Sequence, residues 1–117
     1  MLNQEADALW ESCQRHGVAA INAAPYGSGI LAKGPAAYPR YAYGQASDAY
    51  LERAFALDAV CRRHNVPLAA AALQFSLRDP RITSTNVGIS RPERVNETLE
   101  LVQLPIAQAV WDEIAAL

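Results

Sequence analysis

Val18-Ala19-Ala20-Ile21-Asn22-Ala23-Ala24 is a short, almost wholly apolar run stopped by Pro25. A parallel strand covered by helices on both faces reads this way, because neither face needs polar side chains. The run is therefore read as such a strand, built from small residues.

A second strand is expected over Ile82-Thr83-Ser84-Thr85-Asn86-Val87, which is rich in β-branched residues, follows the Asp79-Pro80 turn and ends at Gly88. Between the two lie helical patterns, so the order describes a βαβ unit of a parallel sheet. Two strands cannot cover their own edges, which leaves two readings: the chain oligomerises, or it is a fragment.

The helices follow from spacing. Asn3 is placed to cap a helix burying a stripe of Ala6, Leu9, Trp10 and Cys13, stopped by Gly17. Ser47 caps another, with Tyr50, Ala54, Leu57 and Cys61 on one face, Arg62, Arg63 and His64 at its negative end, and Asn65 as the stop. Pro67 opens Leu68-Ala69-Ala70-Ala71-Ala72-Leu73-Gln74-Phe75-Ser76-Leu77, apolar all round and so expected to be packed on most sides. Ser90 and Glu93 have the spacing of a capping box for a helix burying Val95, Leu99 and Val102. After Pro105, a last helix buries Ala107, Val110, Trp111 and Ile114. From Pro25 to Ser47 a long loop is expected, crowded with Gly and Pro and carrying Tyr26, Tyr38, Tyr41 and Tyr43.

The bulk numbers narrow the function. With 117 residues, 51% apolar, 19% charged and a formal net charge of -2, the chain has the composition of one globular domain. No block of like charge points to nucleic acid or a membrane surface, and neither partner is expected. No apolar stretch has the length of a membrane span, no signal peptide is read at the start, and a cytoplasmic location is expected. Cys13 and Cys61 lack metal-ligand spacing and are expected to be free buried thiols.

Chemistry-bearing residues concentrate after the two strands. Val87-Gly88-Ile89-Ser90-Arg91-Pro92-Glu93-Arg94 joins a glycine turn, free backbone N–H groups and two arginines, the outline of an anion site. The alternative is a plain turn, a plain cap and solvated arginines. Gly27-Ser28-Gly29 follows the first strand and can bring backbone amides close to a phosphate, or simply turn the chain. The loop tyrosines either wall a cleft or pack the loop down. His16 and His64 fit the last turns of helices as capping groups. No nucleophile with its base, and no pair of carboxylates, can be assembled.

Three stretches carry a family resemblance: Ile21-Asn22-Ala23-Ala24-Pro25-Tyr26-Gly27-Ser28-Gly29-Ile30-Leu31, Val66 to Phe75, and Ser84-Thr85-Asn86-Val87-Gly88-Ile89-Ser90-Arg91-Pro92-Glu93-Arg94-Val95. Together they resemble aldo-keto reductases, particularly the dehydrogenases of L-galactose, L-fucose and D-threo-aldoses. The likeness runs in order over nearly the whole chain and is most specific from Thr83 to Glu100.

The resemblance implies an α/β fold, the C-terminal fragment of a (β/α)8 TIM barrel, with two parallel strands standing seventh and eighth and helices around them. A whole barrel takes about 250 residues, so residues 1–117 are expected to form a partial barrel domain. It implies NAD or NADP as cofactor, with Ser28 and Ile30 along the pyrophosphate. Gly88, Ile89 and Ser90 then line the adenosine ribose, and Arg94, Glu97 and Thr98 meet the adenine side. Thr98 stands where asparagine is frequent, and Gly88 where NADP-specific members often have lysine, leaving Arg91 and Arg94 for a 2′-phosphate and favouring NAD. The catalytic Asp, Tyr, Lys and His of that family belong to earlier strands. A sugar or aldehyde is thus expected as substrate only with the remaining barrel, and the isolated chain is expected to be inactive. The alternative is a non-catalytic module whose strand edges pair with another chain, a homo-oligomer included.

Overall fold

The computed structural model describes residues 1–3 and 5–117. In chain order the elements are α1 (Asp7–Arg15), β1 (Ile21–Ala23), a 3-10 turn (Gly27–Gly29), α2 (Ile30–Lys33), β2 (Arg40–Tyr41), β3 (Gly44–Gln45), α3 (Asp48–Arg63), α4 (Leu68–Leu77), β4 (Ser84–Asn86), α5 (Glu93–Gln103) and α6 (Gln108–Ala115). The architecture is α/β, with β1 and β4 parallel and in the register Ile21↔Ser84, Asn22↔Thr85, Ala23↔Asn86.

The helical core forms where the sequence patterns place it. Ser47 accepts a hydrogen bond from the Tyr50 amide at 3.5 Å and starts α3, and Asn65 ends it with φ 54°, a conformation asparagine tolerates better than most residues. Ala54, Leu57 and Cys61 on its inner face are fully buried. The alanine-rich α4 buries Leu68, Ala70, Ala71, Ala72, Leu73 and Ser76, and packs against α2, α3 and α5. Small alanine side chains permit that close approach on several sides. From the other side α6 seals α3 with Val110, Trp111 and Ile114, whereas Ala107 caps the helix and stays exposed.

Several expectations are corrected. The strands are three residues each rather than six or seven, and they are covered on one face only. Asn22 and Thr85 face α4, whereas Ile21, Ala23, Ser84 and Asn86 are exposed, Ile21 at 63%. Nothing covers the opposite face among the described residues.

For the same reason α1 buries no residue, and Leu9 in its apolar stripe is exposed. Asn3 does not cap α1: its side chain accepts from the Glu5 amide at 2.8 Å, and Ala6 is the N-cap. On α5, Val95, Leu99 and Val102 are also exposed, Leu99 at 52%. The Ser90–Glu93 capping box is absent, because the helix starts two residues later, with Pro92 at its N-cap.

The long loop is partly ordered into regular elements. Besides α2 it holds a β2–β3 hairpin whose turn residues Ala42 and Tyr43 both have positive φ, 48° and 67°. That is the handedness a two-residue hairpin turn needs. The Arg40 guanidinium donates to the Tyr43 carbonyl at 3.2 Å and braces the turn.

Candidate functional site

A cleft of about 520 Å³ opens beyond the C-terminal ends of β1 and β4. One wall is the chain leaving β1, with Ala24, Pro25, Tyr26, Ser28, Gly29, Ala32 and Lys33. The other is the chain leaving β4, with Gly88, Arg91, Arg94 and Glu97. Parallel pairing creates the site, because it puts both strand exits at the same end of the sheet.

The turn after β1 has an unusual backbone. Gly27, Ser28 and Gly29 all have positive φ, at 54°, 59° and 108°. Glycine meets that requirement cheaply at two positions, and Ser28 adopts the left-handed region as a single residue. Added side-chain atoms at Gly29 would come within 3.3 Å of the Tyr38 ring, so the backbone approaches closely there. The Ser28 hydroxyl oxygen accepts from the Ala42 amide at 3.0 Å, which leaves its O–H to donate elsewhere.

The cleft is cationic on balance, with Lys33, Arg91 and Arg94 against Glu97. Arg94 and Glu97 form a loose pair at 4.0 Å, one helical turn apart. Among the described residues Lys33 and Arg91 form no ion pair. The Lys33 ammonium instead lies 4.2 Å from the centre of the Tyr38 ring, a cation–π contact that steadies it without neutralising it. Burial pushes the Tyr26 phenol above its usual value, and the Arg94 cation opposes that shift.

Of the residues singled out in the sequence, Ser28, Gly88, Arg91, Arg94 and Glu97 meet in this cleft. Ile30 does not reach it: its side chain is fully buried in the core, and its amide donates to the Gly27 carbonyl, so it supports the turn from beneath. Ile89 and Ser90 are exposed beside the cleft rather than lining it. The Thr98 hydroxyl donates to the Arg94 carbonyl at 2.7 Å and is thereby engaged by its own helix.

Lys33 escaped the sequence reading, although a signal existed. It stands four residues after Gly29, the N-cap of α2, and that spacing returns a side chain to the same helix face. Two of the tyrosines take the two roles left open for them, while Tyr43 is exposed at the hairpin turn. Tyr26 lines the cleft, while Tyr41 lies with its ring centre 4.4 Å from that of Tyr50 and packs the loop onto the core. Neither histidine is near: His64 bonds Glu113 at 2.7 Å across the α3–α6 contact, and His16 is exposed.

Fold and cleft together define an α/β protein with a cation-lined crevice at the C-terminal ends of parallel strands. The model of the Aldo/keto reductase family matches residues 1–117, and the chain belongs to that family. It is 37% identical over 111 residues to D-threo-aldose 1-dehydrogenase of Pseudomonas sp, covering 94% of this chain and 34% of that protein. To pyridoxal 4-dehydrogenase of Microbacterium luteolum it is 32% identical over 98 residues, covering 84% of this chain and 29% of that one. The chain thus spans about a third of the length of these relatives.

Proposed function

We propose that residues 1–117 form a partial barrel domain, the seventh and eighth βα units of a (β/α)8 barrel, holding the phosphate and adenosine portion of NAD or NADP for an oxidoreductase. The carrying observation is that polar and cationic side chains from two separate strand exits line one cleft. Its volume is of the size that ligand sites occupy, roughly 300 to 1,000 Å³. Lys33 with the Ser28 hydroxyl suits the pyrophosphate, and Arg91, Arg94 and Glu97 suit the adenosine end.

When bound, the nicotinamide supplies hydride chemistry to a sugar or aldehyde; this chain's residues bind and orient the remote end of the cofactor. Remote binding of that kind restricts the reactants to productive orientations, which can contribute on the order of 7 to 11 kcal/mol. NAD is favoured over NADP, because Gly88 presents no side chain to a 2′-phosphate although there is open space there for one. Competition between the two cofactors for the chain tests this, and tighter binding of NADP would count against it.

The acid–base groups belong to the rest of the barrel, so the chain alone is expected to give no turnover. The experiment follows absorbance of the reduced nicotinamide with L-galactose, L-fucose and a simple aldehyde, using the chain alone and then mixed with a separately produced catalytic portion. Turnover by the chain alone refutes this division of labour. Turnover only in the mixture supports it.

A second reading, an assembly module, is favoured by one observation: among the described residues β1 and β4 pair only with each other, so each keeps an open outer edge. Light scattering on the purified chain distinguishes a homo-oligomer built through those edges from a monomer.

A further inference from the structure

We propose that Ser76 is a positioning residue that sets the alignment of the cleft's two walls, an inference that rests on the dinucleotide reading above. Ser76 lies in the last turn of α4, is 3% exposed, and is the one buried polar residue among the described residues. Its hydroxyl meets both strands at one rung. The Asn22 amide donates to it at 2.7 Å, and it is hydrogen-bonded to the Thr85 hydroxyl at 2.7 Å, either hydroxyl being able to donate.

Asn22 and Thr85 are register partners across the parallel pair. A single buried group on the helix therefore fixes the longitudinal offset of one strand against the other. Hydrophobic packing cannot do this here, because the opposite sheet face is bare and the strands are short.

The lock lies close to the cleft. One rung further is Ala23↔Asn86, followed by the Ala24 amide donating to the Asn86 carbonyl at 3.3 Å. Ala24 already lines the cleft on one side, and Gly88, two residues beyond Asn86, lines it on the other. A slip between the strands would displace the Ser28 turn relative to Arg91 and Arg94.

The same helix references the second wall at another point. The Gln74 side-chain amide donates to the carbonyls of Leu101 and Leu104 at 2.8 Å each, anchoring the C-terminal end of α5. Cleft residues Arg94 and Glu97 lie at the other end of α5, so α4 is the common base for both walls.

The test uses the 117-residue chain with Ser76→Ala, Thr85→Val and Ser76→Thr, read by amide hydrogen exchange and by titration with NADH. Ser76→Ala leaves two half-buried polar partners without their hydrogen bond, and roughly tenfold faster exchange at the Ala24 amide is expected, with NADH binding weakened by a similar factor. Amides inside α3 should keep their protection, which separates a local slip from general destabilisation. Thr85→Val should show a smaller effect in the same direction, and Ser76→Thr should restore both readouts toward the original. If Ser76→Ala does not fold, Thr85→Val decides by the same two readouts. Unchanged Ala24 exchange and unchanged affinity in a folded variant overturn the proposal, as does loss of protection spread evenly over the chain. Failure of the unsubstituted chain to bind NADH counts against the dinucleotide reading alone, and Ala24 exchange then decides the strand lock.

Discussion

The helical core and the two-stranded sheet of this chain obey different rules. Around α3, α4 and α6 the inward side chains are buried, with Ile30, Leu57, Leu73 and Val110 almost wholly out of contact with solvent. Around β1 and β4 the strands pair in register, yet one face of the sheet is open, and the stripe of the neighbouring α1 is only half-buried at Ala6, Trp10 and Cys13 and exposed at Leu9. The first region is closed by helices packing on helices, including the sequence-distant pair α3 and α6. The second has the pattern of a surface awaiting further layers, because parallel strands are ordinarily covered on both faces. Stability therefore resides in the helices, and the sheet contributes geometry.

That contrast can be broken most forcefully in the core. Leu57→Ala removes a fully buried side chain at the α3 interface and should cost about 2 to 5 kcal/mol, read as a lower denaturant midpoint. An effect below about 0.5 kcal/mol would show that the helices are not the stable region.

A smaller effect is expected at the α3–α6 seam. Glu113 accepts from the Arg63 guanidinium and lies 2.7 Å from the His64 ring, and these two partners hold its carboxyl below the usual 4.5. A carboxylate whose folded value is depressed stabilises the fold above its unfolded value, and that contribution disappears as pH falls through the folded value. Glu113→Gln should flatten the loss of thermal stability on acidification below about pH 4.5, the ordinary value for this group. An unchanged acid limb would show that the seam does not depend on this charge.

The smallest effect should come from the open sheet face. Ile21→Ser alters an exposed side chain, and the expected change is within about 0.5 kcal/mol. A cost of 2 kcal/mol or more would mean that this face is covered in solution, for example by a second copy.

How much of this was legible in the sequence follows the same division. Ser47, Asn65 and the Ala54/Leu57/Cys61 face are local signals with local causes, and they predicted α3 closely. The α4 alanine run correctly indicated packing on most sides. Strand pairing was legible as well, since the Val18–Ala24 and Ile82–Val87 runs contain β1 and β4. What differed was burial: the stripe on α1 is half-buried except at Leu9 and that on α5 is exposed, because an apolar stripe states a preference for cover and cannot supply it. The hairpin at 40–45 was hidden because Ala42 and Tyr43 take positive φ without the Asn-Gly signature that normally announces such a turn. In the site, the two glycine turns and Arg91, Arg94 and Glu97 could be read, whereas Lys33 was concealed within an apparent loop that turned out to contain α2.

The most direct test of the central claim is calorimetric titration of the chain with NADH, repeated with Arg94→Ala. The account predicts saturable binding to the unsubstituted chain and roughly tenfold or greater weakening in the variant, the scale of a lost charge-assisted hydrogen bond. No binding to the unsubstituted chain, or equal binding to both proteins, would contradict it.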